Sequence, residues 1–284
     1  MRTERILYIR TDRMGDVLMN LPAIRRIRQN HPKAWLTWMV DRSVAPLLRR
    51  HPDVDELLEV DALQLKQDRK WGFLLSRRLK DDKDRASRHE TQSNLRLAGL
   101  LGEKPWDGSW ALPLDEDSSR SIEKRLSEEF GVGGSPLVAI HPGTSDEAKR
   151  WPLENFQVLC KRLLDQGRAR IVLVGGSEEE PISRKLMAAL GEGACDWTGA
   201  LGLAELSALL HSPRVKTLVS VDSGPVHVAW LHHKPVVALY AKNKTGSDPA
   251  RWGALSAGSV CLYKDIRKIS PEEVFRAVEG ILTP

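Results

Sequence analysis

Val215-Lys216-Thr217-Leu218-Val219-Ser220-Val221-Asp222-Ser223-Gly224-Pro225-Val226-His227-Val228-Ala229 is the stretch on which the fold turns. The run to Val221 is apolar enough to be a buried strand. The Ser-Gly-Pro break then opens a helix, with Asp222 or Ser223 as cap and Pro225 in the first turn. Such a helix start offers free N–H groups and the positive end of a dipole, which together bind anions such as a diphosphate. His227 falls in the same turn, where it either faces that pocket or is a core histidine of an ordinary strand–turn–helix corner.

Outward from this corner, strand-like runs alternate with amphipathic helical stretches, the pattern of parallel βαβ construction. The second half predicts strands near 137–141, 170–174, 216–221, 235–240 and 259–263. Its helices fall near 153–166, 179–190, 203–211, 225–232 and 271–282. The first half predicts strands near 6–10, 35–40 and 57–60, with helices near 20–30, 43–50, 64–80, 88–101 and 117–130. Gly131-Val132-Gly133-Gly134-Ser135-Pro136 reads as the linker, dividing the chain into domains 1–133 and 134–284. Two Rossmann-like α/β domains follow, with ligands expected at the carboxyl ends of the strands.

The 284 residues give ample length for two cores. No long apolar span predicts a transmembrane helix, and Met1–Arg5 leads too soon into Ile6-Leu7-Tyr8-Ile9 for a secretory signal. Cys160, Cys195 and Cys261 are widely spaced, which fits a reduced cytoplasm and neither a disulfide framework nor a zinc site. The net charge of +5 is uneven: residues 1–100 carry 21 Lys/Arg against 14 Asp/Glu, and residues 101–284 carry 22 against 24. A basic first half suits an anionic partner or is a solvated surface. No zinc finger, ribonucleoprotein motif or helix-turn-helix is present, so nucleic acid is not expected. Lys80-Asp81-Asp82-Lys83-Asp84-Arg85 reads as a solvated loop or helix end, and Arg77-Arg78-Leu79-Lys80 as a membrane-contacting amphipathic segment or a solvated face.

Four strand-end loops can carry chemistry. In His141-Pro142-Gly143-Thr144-Ser145, a glycine and two hydroxyls suit close approach to phosphate oxygens, and Lys149 can neutralise a leaving diphosphate; the alternative is a plain turn with a surface lysine. In Val174-Gly175-Gly176-Ser177-Glu178-Glu179-Glu180, Ser177 and Glu180 form a capping box, and Glu178 or Glu179 can accept from ribose hydroxyls or simply favour a helix start. Thr198-Gly199-Ala200-Leu201-Gly202-Leu203 can line a base pocket with main-chain groups. In the first half, Ile9-Arg10-Thr11-Asp12-Arg13-Met14-Gly15-Asp16 has neither Gly-x-Gly-x-x-Gly nor a Walker A lysine, which disfavours a dehydrogenase or a P-loop enzyme. Asp16 is then a helix cap or a general base for an attacking hydroxyl, and Arg10 and Arg13 hold an anionic acceptor or are solvated.

Taken together, these residues resemble glycosyltransferase family 9, the ADP-heptose:lipopolysaccharide heptosyltransferases. The matching stretches are Ile6–Arg10 with Met14-Gly15-Asp16 and Leu21-Pro22-Ala23; His51-Pro52 with Val54-Asp55-Glu56; His141-Pro142-Gly143 through Lys149-Arg150-Trp151-Pro152; Val174-Gly175-Gly176 with Glu178; Thr198-Gly199 before Leu203; and Val221–Ala229. The resemblance implies a GT-B fold, two Rossmann-like domains facing across a cleft, with the last helix returning to the first domain. It also implies metal-independent, inverting transfer of heptose from ADP-heptose to a Kdo- and phosphate-bearing inner-core glycolipid, by a cytoplasmic enzyme peripheral to the inner membrane, with no cofactor. Asp16 then matches the catalytic base. Thr144, Ser145 and Lys149 match diphosphate contacts, Lys149 also stabilising the leaving group, and Glu178 matches the ribose contact. Leu201 lies beside adenine, and Asp222, Ser223, Gly224 and His227 complete the donor site. Arg10 and Arg13 fall on the acceptor side.

Two departures from the family stand out. The acceptor half is shortened between about Val60 and His89, and the strand ending Ala238-Leu239-Tyr240 runs into Ala241-Lys242-Asn243-Lys244-Thr245-Gly246-Ser247-Asp248-Pro249 where the family has Gly-Pro-Thr. These keep other readings open: a different nucleotide-sugar, a non-lipopolysaccharide acceptor, a non-catalytic nucleotide-sugar-binding protein, or a hydrolase or epimerase of the same fold. The oligomeric state is not legible.

Overall fold

The computed structural model describes residues 4–61 and 88–283, which form two compact units, Met1–Pro113 and Leu114–Pro284. The expected helix over 64–80 and the charged stretches at 77–85 lie outside the described residues.

In the first unit, strands β1 (Arg5–Ile9), β2 (Trp35–Asp41) and β3 (Glu56–Val60) make a parallel sheet in that order. Arg5 pairs with Trp35 and Thr37 with Glu56. Helices α1 (Met14–Leu18) and α2 (Leu21–Asn30) connect β1 to β2, and α3 is Glu90–Ala98. Helix α2 buries Leu21, Ala23, Ile24 and Ile27 at helical spacing. The expected helix over 43–50 is only a 3₁₀ turn, Ala45–Leu47, since Pro46 supplies no N–H for a longer ladder.

The second unit holds strands β4 (Leu137–His141), β5 (Arg170–Leu173), β6 (Ala194–Asp196), β7 (Val215–Val221), β8 (Val236–Ala241) and β9 (Val260–Lys264). All their pairings are parallel, in the order β6-β5-β4-β7-β8-β9. Strands β4 and β8 are buried along their whole length, as a parallel sheet covered on both faces requires. The covering helices are α4 (Glu116–Phe130), α5 (Leu153–Asp165), α6 (Glu180–Met187), α7 (Leu203–His211), α8 (Gly224–Leu231) and α10 (Pro271–Leu282), with a short turn of helix, α9 (Pro249–Trp252), before β9. The three-residue β6 and the four-residue α9 are too short for periodicity to have shown them.

The boundary falls at Pro113/Leu114, before the glycine-rich stretch and not at the expected 133/134. Helix α4 buries Ile122, Leu126 and Phe130, packs against α7, and Arg125 lies over the Trp197 ring, all within the second unit. Gly131, Gly133 and Gly134, with φ of 73°, 80° and 110°, therefore make the turn from α4 into β4 and not a linker between units. The last helix, α10, packs on α5, β7 and β8 of its own unit, and Val274, Phe275 and Val278 enter the same core as Val219 and Val237. Truncating Leu126 to Ala should cost about 2–5 kcal/mol of unfolding free energy. The shift of the urea midpoint checks it, and a surface-like effect under 0.5 kcal/mol would contradict the packing of α4 in this core.

Candidate active site

The order of the second sheet reverses between β4 and β7: the chain moves outward from β4 to β5 and β6, then returns to β7 on the other side and continues to β8 and β9. Crossover helices leave the sheet on opposite sides at such a point, so a crevice opens at the carboxyl ends of the two central strands. Several predicted donor residues gather there.

The loop after β4 carries Thr144, Ser145 and Lys149. Trp151 anchors it: its indole is buried, stands edge-on to Phe156, and its Nε1 donates to the Ile269 carbonyl at 2.8 Å. Two residues earlier, Lys149 Nζ lies 2.6 Å from Asp222 Oδ2 at the end of β7. The Lys149–Asp222 pair thus ties the two central loops across the reversal point. Thr144 Oγ1 accepts from the Asp146 N–H, while Ser145 is exposed.

Ser223 is the N-cap of α8, and Pro225 sits in its first turn, as expected. The Ser223 hydroxyl does not cap the helix. It lies 2.9 Å from Ser220 Oγ and 3.2 Å from His141 Nδ1, so the first-turn N–H groups, Gly224 included, are not occupied by the cap side chain. His141 Nδ1 is also 3.1 Å from Ser220 Oγ, and burial pushes its pKa down to about 4, which keeps the imidazole neutral. His227 does not face open space: it is 5% exposed, and its Nδ1 accepts from Trp230 Nε1. A helix first turn flanked by Val226 and Val228, both buried, places this side chain inside the packing.

After β5, the predicted Ser177/Glu180 capping box is replaced by Glu179, whose Oε2 accepts the Gly176 N–H at 2.7 Å. A Cβ on Gly143 would lie 2.3 Å from Glu179 Cγ, so glycine there lets the β4 loop press against the capping side chain. Of the two ribose candidates, Glu179 is thereby engaged and Glu178 is exposed on the 3₁₀ turn Ser177–Glu179. Gly199, at φ 72°, donates to the Gly175 carbonyl and brings the Leu201 loop beside the β5 loop; Leu201 itself is half-buried.

The lysine-bearing loop after β8 folds back on the β4 loop. Lys244 Nζ meets Asp146 Oδ2 at 2.9 Å, which holds the Asp146 carboxyl below its usual range, and Ser247 is fully buried with Oγ accepting from the Ala241 N–H. Asp146 and Lys244 were not singled out by sequence reasoning; only the unusual lysines at 242 and 244 signalled them.

In the first unit, Asp16 lies inside the first turn of α1, so it does not cap that helix; Arg13 holds the N-cap position and is exposed. Asn20 fixes the Asp16 backbone by donating to its carbonyl at 2.6 Å while accepting from Tyr8 OH. Burial raises the Asp16 pKa above its ordinary value, and the Arg10 guanidinium, 3.1 Å away, works against that shift. Arg10 is not a free acceptor-binding cation: it also meets Asp12 at 2.9 Å and Glu90 at 3.6 Å. His51, in the matching His-Pro stretch, serves structure: its Nδ1 accepts the Asp53 N–H and its Nε2 lies 3.0 Å from the Ala111 carbonyl. Among the described residues, no three His, Cys, Asp or Glu side chains gather as metal ligands, and no helix is long and apolar enough to cross a membrane.

Two parallel α/β units of this construction are the architecture of the GT-B glycosyltransferases. Residues 62–279 match the profile of glycosyltransferase family 9 (heptosyltransferase). The chain is 25% identical to the lipopolysaccharide heptosyltransferase 2 of Escherichia coli K12, over 86% of its own length and 85% of that protein's. It superposes on a family 9 glycosyltransferase from Veillonella parvula with a TM-score of 0.85 at 20% identity, covering 98% and 97% of the two chains. An E. coli heptosyltransferase solved with ADP gives 0.73 at 18% identity, covering 98% and 99%. The chain belongs to glycosyltransferase family 9.

Because neutral His141 titrates well below an unfolded histidine near 6.5, the unfolded state binds the extra proton between these values, and stability falls as pH drops from about 6.5 towards 4. The group accounts for at most about 3 kcal/mol of that loss. His141→Asn should flatten the decline in urea midpoints measured at pH 7, 5.5 and 4.5; an unchanged slope would show that His141 does not stay neutral.

Proposed function

We propose that the protein moves heptose from ADP-heptose to a lipopolysaccharide inner-core acceptor with inversion, needing no metal or cofactor. The observation that carries this reading is the Lys149–Asp222 pair beside the start of α8, at the one place where the sheet order reverses. There a lysine ammonium and helix N–H groups can stabilise the charge that grows on a departing ADP. Thr144, Ser145, Ser223 and Gly224 border the diphosphate, Glu178 holds the ribose, Leu201 lies by the adenine, and Lys149 leaves Asp222 for phosphate when the donor binds. Asp16 takes the proton from the acceptor hydroxyl as it attacks the anomeric carbon opposite the ADP. Burial raises its pKa, which makes it a stronger base than an ordinary aspartate. Arg13, exposed at the start of α1, is placed to meet an anionic acceptor, and Arg10 contributes through Asp16. The basic first unit suits a phosphate-bearing glycolipid at the cytoplasmic face of a membrane, contacted transiently and without insertion. The names of the relatives, heptosyltransferases of lipopolysaccharide and one solved with ADP, support this choice of donor and acceptor. The Lys244–Asp146 pair, in the loop that departs from the family pattern, favours the second reading, a different sugar on the same nucleotide.

Calorimetric titration with ADP-heptose, with ADP, UDP and a UDP-hexose as competitors, should show selective binding of the two adenine compounds; preference for UDP would overturn the donor assignment. Asp16→Asn should lower turnover about 10²–10⁴-fold and leave donor affinity within two-fold. The acid limb of the wild-type rate profile should lie above the ordinary aspartate value of about 3.9, because activity is lost as pH falls through the raised pKa. Full turnover in Asp16→Asn would remove Asp16 from the mechanism.

A further inference from the structure

Glu90 opens helix α3 and is 1% exposed, an unusual place for a carboxylate at a helix start, where such a group normally stays in water. Its position is imposed by the helix. Asn94, one turn on, donates Nδ2 to the Met19 carbonyl at 3.1 Å, and Arg26 donates to the Leu95 carbonyl at 2.8 Å, so α3 is fixed against the end of α1 and the body of α2. Glu90 Oε1 is thereby brought 3.6 Å from Arg10 Nη2, the same nitrogen that meets Asp16 Oδ1 at 3.1 Å. Arg10 Nε meanwhile lies 2.9 Å from Asp12. One guanidinium is divided among three carboxylates, one of them buried.

For stability alone this is a poor arrangement. A buried carboxylate costs desolvation that an apolar side chain would not, and a cation serving several anions neutralises none fully. For a base it is useful. Arg10 closed onto Asp16 alone would hold its carboxyl low and block its lone pairs, whereas with no cation nearby a half-buried carboxylate would drift towards the neutral form. We infer that Glu90 is a positioning residue for Asp16: by holding part of the Arg10 guanidinium it keeps Asp16 oriented yet open to accept a proton. This rests on the reading of Asp16 as the general base.

Among the described residues of this unit, the charged and titratable groups around Asp16 are Arg10 and Asp12 of its own loop, Tyr8 of β1, Glu90 of α3 and the exposed Arg13. Tyr8 stays protonated, since burial raises its pKa, and it reaches Asp16 only through Asn20. Removing the Glu90 charge acts on Asp16 twice in one direction: a negative neighbour is lost, and Arg10 is released to pair with Asp16. Both lower the Asp16 pKa.

The test uses the whole chain labelled with ¹³C at aspartate carboxyls, the Asp16 signal being assigned by its loss in Asp16→Asn. Glu90→Gln should lower the Asp16 titration midpoint by roughly one pH unit. Glu90→Asp, which keeps the charge but withdraws it by one methylene, should lower it by a smaller step, and circular dichroism confirms that each variant is folded. The acid limb of the rate profile should follow the midpoint. The plateau kcat should fall roughly 3- to 10-fold, far less than loss of a general base, with the KM for donor unchanged. A midpoint that stays put or rises in both folded variants overturns the inference. A midpoint that moves without the acid limb upholds the role of Glu90 and tells against Asp16 as the base.

Discussion

The pairing of β4 with β7 is the constraint from which the second unit follows. Both strands are central and covered on both faces, so they are buried almost throughout, and the polar side chains that tie them together, His141 and Ser220, lie towards their carboxyl ends. Because the sheet order reverses between them, those ends are the place where two loops diverge and leave room for a ligand. His141, Ser220 and Ser223 stitch the loops together in the interior, and Lys149 with Asp222 does so nearer the surface. The interior part is neutral because burial holds His141 uncharged; the outer part is an ion pair between Lys149 and Asp222.

In the first unit, Asp16 is likewise held by its neighbours. Asn20 clamps its backbone, Tyr8 clamps Asn20, and Arg10 spans Asp12, Asp16 and the buried Glu90. The two units thus solve one problem in different ways. Among the described residues Lys149 pairs with Asp222 and lies near Asp146, whereas Arg10 spans three carboxylates.

Much of this was legible in the chain. The alternation of apolar runs with amphipathic stretches, the Pro-marked helix starts and the strand-end glycines are local signals, and they predicted the parallel strands and the loops that carry Thr144, Lys149, Glu178 and Asp222. The errors have physical causes. The glycine-rich stretch 131–134 looked like a linker because glycine signals a turn, whereas the division at Pro113/Leu114 depends on which core takes Ile122 and Leu126. Ser177 and Glu180 have capping-box spacing, but the chain enters the helix through a 3₁₀ turn, so Glu179 reaches the Gly176 N–H instead.

What the sequence determined by itself is whatever depends on neighbours within a turn or a strand: the β/α rhythm, the Ser223-Gly224-Pro225 helix start, the place of Asp16 in the segment that follows the first strand, and the family pattern. What only the tertiary structure decided is how each charge is partnered. Lys149 and Asp222 are 73 residues apart, and Asp146 and Lys244 also meet across distant loops. Glu90 gives no local sign of its burial against Arg10. A side chain's charge is written in its residue type, but its protonation, orientation and availability depend on burial and on groups from distant elements, which exist only once the sheets and helices have packed.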